Sequence, residues 1–158
     1  MIKTLNPNFQ NTINERLRNQ NFMALVGFEI TKIAEGLVEG ELLLTSKHQQ
    51  HRGFVHGGVT ATLADITAGL AAVSLVPADH HVVTADLKIS YLNPGVGEKL
   101  FARGWVLKQG RKLNFCEAEV FCHDYNKPAV LIAKASAIMV TITPDELEIN
   151  SEKLEIKS

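Results

Sequence analysis

Nowhere does this sequence hold a run of the ~20 apolar, largely uncharged residues that a membrane-spanning helix needs, so no membrane insertion is expected. An excess of one charge is missing too: Lys and Arg number 16, Asp and Glu 17, for a formal net charge of −1. That balance excludes a broad basic surface for nucleic acid or anionic lipid, although a local basic spot can still take one small anionic ligand. Residues 1–20 carry no apolar run behind Lys3 and do not resemble a secretory leader. Cysteine is scarce. Cys116 and Cys122 lie in one expected strand, which sets their Cα atoms roughly 20 Å apart at ~3.3 Å per residue, against the ~7 Å that a disulfide tolerates. Two reduced, buried thiols and a cytoplasmic location are therefore expected. His48, His51 and His56 share a glycine-containing loop with no CxxC or HExxH spacing, so neither a metal nor a cofactor is expected; His80 and His81 fall at a strand entrance.

What is present is a chain of 158 residues, 46% apolar and 21% charged, suited to one globular domain. Residues 9–25 form an expected amphipathic helix with Ile13, Leu17 and Met23–Leu25 on its apolar side and Gly27 as its stop. A strand over Phe28–Ile33, a Glu35-Gly36 turn and a second strand carrying Val38, Leu42 and Leu44 follow. After a polar loop over 45–57 comes Gly58–Leu75, apolar around its whole circumference and closed by Pro77. That pattern marks a helix buried on all sides. Four strand-like runs end the domain: 83–91, Lys99–Lys108, Leu113–Cys122 and Ala129–Ile142. In the first, Val83, Ala85, Leu87, Ile89 and Tyr91 share one face and Thr84, Asp86, Lys88 and Ser90 the other.

The short connections suit an antiparallel meander. One sheet must curl around the apolar helix, and a single subunit can hardly enclose it, so a partner sheet is expected. The expectation is an α+β domain over residues 1–143, an antiparallel sheet curled around one long central helix, as a homodimer or dimer of dimers. The charged tail over 144–158 is expected to be a loose end.

Asp65 is the only ionisable residue in Gly58–Leu75; the other polar side chains there are the hydroxyls of Thr60, Thr62, Thr67 and Ser74. A desolvated carboxylate either finds a partner, such as a neighbouring hydroxyl, or serves chemistry. Just upstream, His56-Gly57-Gly58 sets two residues without side chains where free helix amides emerge. Such a terminus can bind an anion or polarise a carbonyl, or can simply be a glycine turn that starts a helix. Gly58 and Asp65 are about 10 Å apart at ~1.5 Å per residue, too far for one helix to serve both ends of one reaction easily. The easier solution sets the Gly57 amide of one subunit against Asp65 of another.

The run His56-Gly57-Gly58-Val59-Thr60-Ala61-Thr62-Leu63-Ala64-Asp65 resembles the signature of hotdog-fold thioesterases of the phenylacetic-acid-degradation (PaaI-like) type. Thr84–Pro94 and Gly110–Val120 resemble that family's later strands, and the likeness runs from about residue 25 to 141. The resemblance implies acyl-CoA as substrate, with Asp65 as the general base for water or, alternatively, a nucleophile forming a mixed anhydride. It implies the Gly57 N–H as oxyanion donor and His56 as the group that orients the turn. Gln50 stands where the family usually has an asparagine that helps hold the water, and is one methylene longer. Thr84 stands where relatives often carry a hydroxyl, although strict alternation points it off the main apolar face.

For the coenzyme A phosphates the resemblance points to Gly110-Arg111-Lys112, Arg111 first; the same residues also suit an ordinary basic hairpin turn. Thioester hydrolysis fits these parts, because an activated carbonyl and a good thiolate leaving group need neither metal nor serine. The expected acyl groups are medium-chain or aryl-acetyl. Two rivals are a non-catalytic hotdog module that binds acyl-CoA, which has no need of Asp65, and a hotdog dehydratase, whose histidine sits in a different loop motif.

Overall fold

The central helix α3, Gly57–Val73, lies against an antiparallel sheet in a computed structural model that describes residues 2–125 and 127–148. Before it come α1 (Phe9–Leu17), α2 (Asn21–Val26), β1 (Phe28–Ala34) and β2 (Leu37–Leu43); after it come β3 (His81–Tyr91), β4 (Lys99–Lys108), β5 (Leu113–His123) and β6 (Val130–Ile142). The six strands are ordered β1-β2-β4-β5-β6-β3, all antiparallel. This is the hotdog fold. Small residues bring helix and sheet together: Ala64, Ala68, Ala71 and Ala72 on α3 meet Ala102, Ala118, Ala135 and Ala137 on the strands, all buried. On β4 even one methyl would be too many, since a Cβ at Gly104 would stand 2.4 Å from the Ala68 nitrogen.

Four expectations need correction. The strands are not a simple sequential meander. β2 occupies the edge of β4 that β3 would need, so β3 pairs with β6 instead. The link 92–98 must then cross three strand spacings, ~14 Å, within reach of seven residues at ~3.3 Å each. The amphipathic N-terminal segment is two helices rather than one. At 100° per residue a straight helix would carry Met23 about 80° round from Ile13; the break at 18–20 returns both to the core, where Ile13 and Met23 are buried.

The third correction concerns β3. The register shift between Thr84 and Asp86 inserts Ala85 as a bulge. Val82, Leu87 and Ile89 therefore pack on the core, and Thr84 joins their face. As the sequence implied, α3 is not enclosed on every side by its own subunit. Thr60, Leu63, Ala64, Thr67, Ala68, Ala71 and Ala72 are buried, but Gly58, Thr62, Asp65, Gly69 and Val73 form a stripe that stays partly open.

Finally, the tail does not begin as a loose end. Residues 144–148 are helical, started by Thr143 and Glu146, each of whose side chains accepts from the other's backbone amide, with Pro144 at the first helical position. The rest of the expected tail, from 149 on, lies outside the described residues. Cys116 and Cys122 are both buried and free, and no helix among the described residues is long and apolar enough to cross a membrane.

Candidate active site

Helix α3 starts with one amide left open. His56 is its N-cap, and the His56 Nδ1 accepts from the Gly58 N–H at 2.9 Å. The His56 carbonyl takes the amides of Val59 and Thr60 at 3.0 and 3.3 Å. Of the amides that a helix start leaves without intrahelical partners, that of Gly57 alone has no hydrogen bond among the described residues. With Nδ1 accepting, the neutral His56 ring carries its proton on Nε2. The histidine thus caps the turn.

Tyr91 was missed as a site residue. Its hydroxyl donates to the Gly57 carbonyl at 2.9 Å, and a Cβ at Gly57 would stand 3.3 Å from its ring. Its place at the end of the apolar face of β3 was the available signal, since an aromatic there must reach the helix start.

Asp65 is two turns further along the same helix. The Thr84 hydroxyl donates to Asp65 Oδ1 at 2.7 Å, the contact that the Ala85 bulge makes possible. Asp65 is half-buried and has no ion pair among the described residues. A carboxylate fixed by one charge-assisted hydrogen bond, with its second oxygen available, is arranged to accept a proton.

These groups do not meet within one subunit. Gly57 and Gln50 line a cavity of about 340 Å³ with Phe54, Thr60, Tyr91 and Asn93. Asp65 and Thr84 line a different cavity of about 390 Å³, walled by α3, β3 and the two N-terminal helices. Along the axis Gly57 and Asp65 are eight residues, ~12 Å, apart. Gln50 is placed beside Gly57 by a tight turn, in which its amide donates to the Phe54 carbonyl and its carbonyl accepts from Gly53. The involvement of α1 and α2 in the second cavity went unread, because amphipathicity says which face is apolar and not what it covers. At that cavity's far end burial, aided by Arg16 and His80, pushes His81 down, so its ring is neutral at pH 7.

The expected coenzyme A turn lies elsewhere in the subunit. Gln109 donates to the Leu75 carbonyl, which docks the turn at the C-terminal end of α3. Lys112 is held by Glu146 at 2.5 and 2.6 Å, whereas Arg111 is exposed and carries no ion pair among the described residues. Gly110 is required by close approach, since a Cβ there would be 2.4 Å from the Leu113 carbonyl. His48 is structural, with Nδ1 accepting from the Thr45 amide and Nε2 donating to the Val26 carbonyl.

Residues 52–129 match the thioesterase superfamily. The human protein acyl-coenzyme A thioesterase 13 is 27% identical over 123 residues, which cover 75% of this chain and 86% of that one. A candidate esterase of Halobacterium salinarum is 31% identical over 107 residues, 65% of this chain and 70% of that one. Among solved structures, a thioesterase family protein from Silicibacter pomeroyi superposes with a TM-score of 0.83 at 28% identity, covering 85% of this chain and 98% of that one. The Escherichia coli PaaI protein shares the fold with a TM-score of 0.74 at 20% identity, covering 85% of this chain and 93% of that one.

Proposed function

This chain belongs to the hotdog-fold thioesterase superfamily and is a thioester hydrolase, and from that we propose that it hydrolyses acyl-CoA at a site shared between two subunits. The observation that carries the proposal is the pairing of two incomplete halves. An unpaired Gly57 amide opens into one cavity, and a Thr84-held Asp65 opens into another, on one partly open helix face. Two copies of α3 packed antiparallel across a two-fold axis bring the Gly57 of one subunit to the Asp65 of its partner, and cover that face as far as Asp65.

In the proposed reaction the thioester carbonyl oxygen accepts the Gly57 N–H. Asp65 takes a proton from a water as the water oxygen bonds to the carbonyl carbon. The tetrahedral oxyanion is held at the helix start, then collapses as the C–S bond breaks. The CoA thiolate leaves with the proton that Asp65 had taken. The Gln50 amide helps to hold the water, Thr84 holds Asp65, and His56 holds the turn. The nucleotide phosphates fall to Arg111 of the subunit that supplies Gly57, the cation of its turn that is not already tied to a carboxylate.

The test is thiol release from acetyl-, hexanoyl-, lauroyl-, phenylacetyl- and benzoyl-CoA by wild-type and Asp65→Asn proteins. Asparagine keeps the Oδ1 that Thr84 donates to, so the fold should persist while turnover falls at least about 100-fold, the scale of a general base. Near-wild-type turnover by folded Asp65→Asn protein removes Asp65 from the mechanism. Binding without turnover by the wild type supports a non-catalytic acyl-CoA module instead.

A further inference from the structure

We infer that the acyl chain lies along α3 from Asp65 towards Val73, and that Gly69 is the position that sets how long an aliphatic chain is accepted. The inference rests on the thioesterase proposal above. Gly69 sits in the interior of a 17-residue helix, where glycine is the least favourable residue short of proline. Its backbone does not require it, because Gly27, Gly36 and Gly53 are the glycines with positive φ. Nor does its packing: a Cβ at Gly69 would meet only the Met139 Cε, at 4.0 Å, whereas one at Gly104 would collide with α3. The missing side chain therefore leaves open space, and that space belongs to the cavity that holds Asp65.

Position supports a ligand as the occupant. Gly69 is one turn beyond Asp65 on the same helix face. Around it the cavity is apolar and pliant, walled by Leu17, Met23, Leu70, Val73 and Met139. Close crossing of two helices is a poor explanation for the glycine. If Gly57 faces Asp65 across the two-fold axis, the axis passes near Ala61, and level with Gly69 the partner helix has already ended.

Length follows from the same geometry. Asp65 to Val73 is ~12 Å of helix, and an extended chain of ~1.5 Å carbon–carbon bonds advances about 1.3 Å per bond. Roughly nine bonds fit, which points to acyl groups of about eight to ten carbons. At the far end Arg16 Nη2 donates to the carbonyls of Ala78 and His80, at 2.8 and 2.9 Å, tying α1 to the α3–β3 connection.

The experiment compares wild-type, Gly69→Ala and Gly69→Leu proteins on butyryl-, hexanoyl-, octanoyl- and decanoyl-CoA. Wild-type kcat/KM should rise with length up to octanoyl or decanoyl. Gly69→Ala should keep that profile and melt about 2–4 °C higher. Gly69→Leu should keep butyryl-CoA within about 2-fold and lose at least about 10-fold on decanoyl-CoA, since each excluded methylene costs about 4-fold. Calorimetric binding of decanoyl-CoA to Asp65→Asn protein, with and without Gly69→Leu, reads the same pocket without turnover. It separates failure of this inference from failure of the hydrolase proposal. A Gly69→Leu protein with an unchanged chain-length profile and unchanged decanoyl-CoA binding overturns the inference. So does one that becomes monomeric and loses every substrate alike, which would assign the glycine to the interface.

Discussion

The open amide at Gly57 can be deleted without touching another atom of the mechanism. Gly57 is the first helical residue, the position where proline is best tolerated, because its missing N–H and fixed φ suit a helix start. The preceding residue, His56, has φ −67° and ψ 133°, already in the extended region that a following proline demands. Gly57→Pro therefore removes a donor that makes no hydrogen bond among the described residues, and leaves the His56 cap on Gly58 in place. At Cβ its structural cost is a contact of 3.3 Å with the Tyr91 ring, which must give by a few tenths of an ångström. Gly57→Ala makes the same contact and keeps the amide. Loss of one oxyanion donor lowers kcat by about 10²–10³, or ~2.7–4 kcal/mol. In a steady-state thiol-release assay Gly57→Ala should fall within about 5-fold of wild type, and Gly57→Pro about 100-fold or more below it in kcat, with KM little changed. Circular dichroism and melting should show both folded. A folded Gly57→Pro protein with the kcat of Gly57→Ala would refute the role given to this amide.

Thr84→Val removes a hydrogen bond to a carboxylate, worth about 1.5–3 kcal/mol, so kcat should fall roughly 10- to 150-fold, with Thr84→Ser restoring most of it. A Thr84→Val protein of unchanged kcat would show that Asp65 needs no such support. Burial pushes Cys116 up to about 12 and raises Cys122 too, so both thiols stay protonated near pH 8. A thiol reagent should label neither until the protein is denatured, when two per chain appear; rapid labelling of native protein would contradict their burial.

Much of the fold was legible because its main signals are local. Seventeen residues, mostly alanine, glycine, threonine and aliphatics with one carboxylate, mark a central helix, and the HGG turn marks its start. Strand order was not legible, since it depends on β2 claiming the edge of β4, a choice made between residues some 60 apart. Nor was the side to which Thr84 points. A bulge leaves the period-two pattern of β3 looking intact while turning Thr84 towards Asp65. The capping box from Thr143 to Glu146 was written in the sequence and masked by the charge of the residues around it. As for the site, residue types and spacing pointed to Gly57 and Asp65, but the cavity under α1 and α2 and the contact from Tyr91 arise only when distant segments pack.

The shared site is tested most directly by subunit mixing. Asp65→Asn and Gly57→Pro proteins, each nearly inactive alone, are exchanged one to one, and heterodimer formation is verified by native mass spectrometry. A heterodimer then holds one doubly damaged site and one intact site, built from the Gly57 of the first subunit and the Asp65 of the second. With about half of the dimers mixed, activity should recover to about a quarter of the wild-type level. Verified heterodimers that remain as inactive as their parents would contradict it and return both groups to a single subunit.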